Sequence, residues 1–391
     1  YMREENIIEK ILQKYETPVY VFDINKAKKR IEYLKNKLPS DVLMCYAIKA
    51  NTFIVKDVEK YIDRFEVCSP GEYEICKSKN IDLSKILLSG VYKTPEIIEK
   101  MILNNEPIKC YTVESLKQFE LLKRLSQANK IKIMIRITSG NQFGINDYEA
   151  EDIVKNRSQY ENIEIIGIQY FSGTQKKSLK ILKRELDYID EFVVKLQEQY
   201  DFITQELEFG PGLPVFYFQN DEFDEDSYMD EFSKILKQIK FKGKLILELG
   251  RSIAASCGNY ITKVVDKKIN KKQNYAILDG GIHHLVYYGQ SMAMKIPKCE
   301  IYPPRQSIDD SDERWNLCGS LCTINDILVK QFPVNNLKIG DVFIFENTGA
   351  YCMTEGISLF LSRDLPKVIK IKEDSNLELV RDNLPTYKFN M

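Results

Sequence analysis

Tyr46-Ala47-Ile48-Lys49-Ala50-Asn51 closes the apolar run Val42-Leu43-Met44-Cys45-Tyr46-Ala47-Ile48. The run is short, carries β-branched and aromatic residues and follows the turn-like Leu38-Pro39-Ser40-Asp41. It therefore reads as a buried strand. Lys49 then stands at a strand end, where an ammonium is costly to desolvate and needs a partner. Desolvation also disfavours the charged form, which lowers the pKa and leaves an amine able to condense with an aldehyde. A strand-end lysine taken alone more often extends its head into water. Its role depends on what the rest of the chain supplies.

Upstream, residues 3–15 have apolar positions at helical spacing, and Thr17–Asp23 reads as a strand followed by a Lys-rich amphipathic helix. Downstream, short apolar runs at 42–48, 64–68, 85–89, 109–113, 131–137, 163–171, 206–209 and 244–249 alternate with helical stretches. Eight strand–helix units over about 215 residues have the count and length of a (β/α)8 barrel. A doubly wound open sheet is the competitor, but no GxGxxG follows the first strand, which favours the barrel. Beyond residue 255 the runs shorten and alternate: Tyr260–Val265, Tyr275–Leu278, Val342–Phe345 and Lys367–Ile371. The pattern predicts a barrel over 26–254 and an all-β domain built from 1–25 plus 255–391. Two polar segments, 219–231 and Pro303–Arg314, read as exposed loop or helix surface.

With 44% hydrophobic and 29% charged residues among 391 and a net charge of -1, the chain has the composition of a soluble globular protein. It shows no global bias towards nucleic acid or anionic membranes. No apolar run approaches a membrane span and no signal-peptide core is present, so a cytoplasmic location is expected. Nine cysteines, scattered and odd in number, suit a reducing compartment. Cys318 and Cys322 lack further ligands nearby. The only two histidines, His283 and His284, are adjacent and in an extended segment would point opposite ways, so no metal is expected.

Active sites of (β/α)8 barrels gather at the C-terminal strand ends, with phosphate sites near strands seven and eight. Lys49 ends the first strand; Phe65-Glu66-Val67-Cys68-Ser69-Pro70-Gly71-Glu72 ends the second. The fifth carries Arg136, followed by Gln142-Phe143-Gly144, and the sixth ends Tyr170-Phe171-Ser172-Gly173-Thr174-Gln175. Gly210-Pro211-Gly212 and Glu248-Leu249-Gly250-Arg251 end the last two. A phosphate ester needs convergent backbone N–H groups, a cation and a hydroxyl. Gly210, Gly212, Gly250, Arg251 and Thr174 are of those types. Gly-Pro-Gly alone is usually a plain turn, and Glu248 with Arg251 could be a structural ion pair.

Taken together, these segments resemble the fold-type III pyridoxal phosphate (PLP) enzymes, the diaminopimelate and ornithine decarboxylases, whose lysine motif YAIKAN matches. Asp279-Gly280-Gly281, Gly319-Ser320-Leu321-Cys322 with Asp326, and Gly349-Ala350-Tyr351 resemble that family's later segments in order. The resemblance implies an alanine racemase/ornithine decarboxylase-like architecture and a homodimer with shared active sites. Lys49 would hold PLP and Glu248 would face its pyridine nitrogen. Glu72, Arg136, Phe171, Thr174, Gly210, Gly212, Gly250, Arg251 and Tyr351 would surround the cofactor. Cys322 of the partner subunit would help protonate Cα, and Arg251, His283, His284, Cys322 and Thr323 would face substrate.

Departures from the family bear on the substrate. Phe171 stands where a ring-stacking histidine is common, and Pro211 removes one N–H from the cradle. The arginine and the aspartate with which the two families hold the distal end of their free substrates are missing, and Thr323 follows Cys322 instead of an acid. The combination resembles the branch that decarboxylates glutamate tethered to an acyl carrier protein in butirosin-type biosynthesis. The expectation is a PLP-dependent amino-acid α-decarboxylase acting on a blocked or tethered substrate. The basic run Lys176–Arg184 is a candidate landing area for an acidic carrier. Decarboxylation of free diaminopimelate or another basic amino acid, racemisation, a PLP-free phosphate-binding barrel, and a non-catalytic binding protein are the alternatives.

Overall fold

The structure, a computed structural model, describes residues 2–305 and 313–391, with side chains from Ile7 onward. Residues 306–312 of the polar Pro303–Arg314 segment lie outside the described residues. Two compact units emerge: residues 1–29, 216–223 and 254–391 form one, residues 30–215 and 224–253 the other. The first strand, β1 (Val19–Asp23), belongs to the former.

The second unit is a closed parallel barrel of β2 (Leu43–Ala47), β3 (Arg64–Val67), β4 (Ile86–Leu88), β5 (Cys110–Val113), β6 (Ile131–Ile137), β7 (Ile163–Phe171), β8 (Glu206–Gly210) and β9 (Lys244–Leu249). Closure comes from β9 pairing with β2, Leu43 opposite Ile246 and Cys45 opposite Glu248, which excludes the open sheet. Side chains alternate across each strand. One inward layer is Leu87, Cys110, Met134 and Ile166, a packed interior rather than a channel. At the strands' N-terminal ends, Arg64 of β3 donates two bonds to Glu206 of β8, at 2.7 and 2.6 Å. Both charges are buried, and only such fork geometry makes their desolvation tolerable. At the opposite ends helices start promptly. Ser69 accepts from Glu72 N–H, Ser115 from Gln118 N–H and Ser178 from Ile181 N–H, each an N-cap that fixes where its strand stops.

The β unit adds β10 (Gly258–Asn270), β11 (Gln273–Leu278), β12 (Cys299–Tyr302), β13 (Arg314–Cys318), β14 (Ile327–Pro333), β15 (Val342–Phe345), β16 (Lys367–Ile371) and β17 (Leu377–Arg381). Its sheet runs β14-β13-β11-β10-β1-β16-β17, and β15 pairs with β10 and β12. Val19, Val21, Val342, Ile344, Ile369 and Ile371 alternate onto one face and pack with Ile261 and with Ile11 of the helix Met2–Lys14. Each such side chain contributes about 1.5–3 kcal/mol when fully buried. The segment 216–223 leaves the barrel sequence to join this unit. Tyr217 and Phe218 pack on Tyr287, and Phe218 bridges Pro297. Among the described residues no helix is long and apolar enough to cross a membrane.

Candidate active site

Lys49 lies in a single 3-10 turn, Ile48–Ala50, that follows β2. Its Nζ donates to Glu66 Oε2 at 2.6 Å and lies 3.7 Å from Cys68 Sγ and 3.8 Å from Glu248 Oε1. The side chain is 40% exposed, whereas Glu66 and Glu248 are 2% and 7% exposed. Lys49 is therefore an accessible, ion-paired amine at the barrel mouth rather than the desolvated amine the sequence implies. The desolvated lysine is Lys93, 5% exposed, whose amine burial lowers to about 8.

Three carboxyl groups point inward from adjacent parts of the barrel: Glu66 of β3, Glu208 of β8 and Glu248 of β9. Burial alone would raise Glu66, but the Lys49 ammonium, its hydrogen bond, and the Arg136 charge bring it down to about 2. Burial and the negative Glu66 push Glu208 up to about 7, against a 2.9 Å bond from Gln169 Nε2. Burial likewise raises Glu248 well above the carboxylate range, reinforced by Glu66 and opposed by Lys49. One acid thus holds its charge for Lys49, while burial disfavours the charge on Glu248.

Arg136 of β6 donates to buried Glu114 at 3.1 Å, and its guanidinium lies 4.8 Å from the Phe143 ring and 6.0 Å from the Phe171 ring. Lys93 completes this layer by donating to Gly90 O, Thr112 Oγ1 and Gln118 Oε1, each at 3.1 Å.

The ends of β7, β8 and β9 form a cradle. A Cβ on Gly210 would sit 2.0 Å from the Phe171 ring, and one on Gly212 would sit 2.2 Å from Gly173 O. Gly212 also has φ +57°, a conformation that favours glycine. A Cβ on Gly173 would meet nothing within 4 Å, so this backbone faces open space. Arg251 Nε approaches Thr174 Oγ1 at 3.4 Å beside Gly250. Cation, hydroxyl and accessible glycine backbone converge as a phosphate monoester requires.

Other positions depart from the sequence reading. Glu72 accepts from Cys68 N–H at 2.7 Å while its own N–H donates to the N-cap Ser69 Oγ, so its carboxylate is tied to the start of the helix Pro70–Ser78. His284, 2% exposed, bonds Tyr260 OH through Nδ1 and Asp364 O through Nε2. Burial lowers it to about 3, and lowers His283, 1% exposed, to about 4. Both rings are neutral and buried in the β unit, where they line a cavity with Asp279 and Arg363. Lys176 is equally unsuited to a landing surface: its side chain is 9% exposed and paired with Glu185.

In the β unit, Cys322 is exposed on a loop that Asp326 holds by accepting from Leu321 N–H at 2.7 Å and Ile282 N–H at 2.8 Å. A Cβ on Gly281 or Gly319 would strike the Asp326 carboxylate, so Asp279-Gly280-Gly281 and Gly319–Asp326 are packed as one piece. Thr323 lies on the same loop, its N–H donating to Leu321 O at 2.9 Å. Tyr351 follows Gly349 and has φ +65°, an uncommon conformation for a tyrosine. Glu208, Lys93 and Glu114 escaped sequence reasoning, and Glu66 and Cys68 enter it only as part of the segment that ends the second strand. Period-two alternation along β3 and β8 would have pointed Glu66 and Glu208 into the barrel.

A family described as "Pyridoxal-dependent decarboxylase, pyridoxal binding domain" matches residues 24–255. L-glutamyl-[BtrI acyl-carrier protein] decarboxylase of Niallia circulans is 24% identical, over 95% of this chain and 92% of that protein. From Staphylococcus aureus, 2-[(L-alanin-3-ylcarbamoyl)methyl]-2-hydroxybutanedioate decarboxylase is 25% identical over 91% and 95%. The crystal structure of diaminopimelate decarboxylase from Helicobacter pylori complexed with L-lysine superposes with a TM-score of 0.83 at 23% identity, covering 97% of this chain and 98% of that one. That likeness speaks for the fold.

Proposed function

Because the chain belongs to the pyridoxal-dependent decarboxylase family and is a PLP-dependent amino-acid carboxy-lyase, we propose that its substrate is an amino acid whose far end is already joined to another group. The observation that carries this reading is that the residues expected to face substrate offer no charge to a free distal end. His283 and His284 are buried and neutral, and Thr323, uncharged, follows Cys322. A free distal charge would be desolvated without a partner, which such a site rejects. The two relatives named above support the reading. One is named for glutamate on a carrier protein, the other for an alanine whose C3 carries a carbamoyl link.

When bound, PLP supplies the electron sink that lets the Cα–carboxylate bond break heterolytically. Lys49 Nζ would be its covalent anchor, and Glu66, 2.6 Å from that nitrogen, would hold the amine as an ammonium whenever it is free. Glu248 would face the ring nitrogen, and its burial raises its affinity for a proton. Phe171, held over Gly210, offers a flat apolar face for the ring. Gly210, Gly212, Gly250, Thr174 and Arg251 hold the phosphate. Arg136, already engaged by Glu114, supplies positive charge near the acids.

The reaction consumes one proton at Cα. We assign its delivery to the Cys322 thiol of the partner subunit in a homodimer, because Cys322 is exposed on a loop fixed by Asp326. Neither Lys49→Ala nor Cys322→Ala protein should turn over alone. Mixed in equal amounts under subunit exchange, they should regain about a quarter of wild-type activity. Half the dimers are then mixed, with one intact site of two. Absence of rescue despite proven exchange would rule out the shared site.

Release of CO2 from carrier-linked or amide-conjugated amino acids, compared with free diaminopimelate, lysine and ornithine, tests the substrate. The conjugated substrates should dominate. A kcat/KM on a free diamino acid at or above about 10⁴ M⁻¹s⁻¹, within the range of true enzyme substrates, would overturn the proposal in favour of a free-substrate decarboxylase.

A further inference from the structure

In the sequence Lys176 sits in a basic run, yet in the fold it is the most tightly held residue beside the phosphate cradle. Its Nζ donates to Glu185 Oε2 at 2.6 Å and to Ser172 Oγ, and Ser172 Oγ donates to Glu185 Oε1 at 2.6 Å. This ring of bonds joins the residue after β7, the loop that follows, and the helix Leu179–Tyr200. The main chain of Lys176 is fastened as well. Its N–H donates to Gly212 O at 2.9 Å, and its carbonyl accepts from Tyr228 OH at 2.7 Å. One residue earlier, Gln175 clamps Val215 from both sides: Oε1 accepts from Val215 N–H at 2.6 Å and Nε2 donates to Val215 O at 2.8 Å.

Gly173 and Thr174 are thereby suspended between two anchors, Ser172 on one side and Gln175-Lys176 on the other, with Gly173 O against the α-carbon of Gly212. The ammonium also lies 6.0 Å from the Phe171 ring and 5.9 Å from the Phe209 ring. Burying an ammonium is costly, and an apolar side chain would pack beside those rings without that cost. What an apolar side chain could not do is draw Ser172 and Glu185 together.

We propose that Lys176, with Glu185 and Ser172, is a positioning residue for the cofactor phosphate. It sets the spacing between the Gly173–Thr174 backbone and Gly210–Gly212, so that both can donate to one phosphate group. The inference rests on the reading that the ends of β7 to β9 hold that phosphate.

The full-length chain, freed of cofactor, is titrated with pyridoxal phosphate and with pyridoxal, which lacks the phosphate, and followed by visible absorbance. Lys176→Met and Glu185→Gln should each weaken pyridoxal phosphate binding by roughly tenfold to a hundredfold, the range for a lost charge-assisted hydrogen bond. Pyridoxal binding should not change, and Lys176→Arg, which keeps the charge, should recover much of the loss. Equal weakening for both ligands, or none for either, overturns the proposal. If wild-type protein binds the two ligands equally well, the phosphate cradle itself is misassigned, a result distinct from failure of the Lys176 device alone.

Discussion

Lys49→Ala protein is expected to lose the visible absorption of lysine-bound cofactor and to decarboxylate at least about 10³-fold more slowly, because no other amine can anchor the cofactor. Lys93 is the obvious substitute by chemistry, with an amine lowered to about 8. It is 5% exposed and already donates to three acceptors at 3.1 Å, so it cannot reach a ligand without dismantling its own layer. The substitution also removes the ammonium that most favours the charge on Glu66, leaving the Arg136 charge and the Ser89 hydrogen bond to hold it. Lys49→Arg separates the two effects: it restores a cation beside Glu66 but no condensing amine. Absorbance and CO2 release should stay absent in both variants. Recovery of either in Lys49→Arg would mean that charge alone is the function of this residue.

Glu248→Gln should retain the cofactor and its absorption yet turn over about 10²–10³-fold more slowly, the usual scale for removing one preorganised electrostatic partner. The amide keeps the shape of the side chain on β9 but has neither a charge nor a titratable proton to share with a ring nitrogen. Since Glu208 sits fully buried one strand away with its own carboxyl raised to about 7, Glu208→Gln should cost less. It faces Gln169 and not Lys49. A kcat for Glu248→Gln equal to wild type would remove Glu248 from the mechanism.

The barrel was legible because its strands are short segments rich in apolar residues that alternate with helical stretches, as strand burial demands. Lys49, Arg136, Gly210, Gly212 and Glu248 were legible for a related reason: barrel topology brings strand ends together however far apart they lie in sequence. What escaped depends on side chains meeting across the fold. Glu66 and Glu208 interrupt apolar runs and look like noise until alternation turns them inward beside Lys49 and Gln169. Lys176 looks like solvated surface until Glu185, on the next helix, turns back to it. The His283-His284 pair looks chemical in sequence, but Tyr260 and Asp364 satisfy His284 inside the β unit. Residues 216–223 could not be assigned to the β unit from sequence, because the packing of Tyr217 and Phe218 on Tyr287 that draws them there is long-range.

Reduction of the purified holoenzyme with borohydride, followed by peptide mapping, tests most directly the claim that this is a lysine-anchored PLP decarboxylase. Reduction makes the lysine–cofactor link permanent, so the mass of one phosphopyridoxyl group should appear on the peptide carrying Lys49 and on no other. A label on another lysine, such as Lys93, whose amine burial lowers to about 8, or the absence of any label from protein that decarboxylates, would contradict the account.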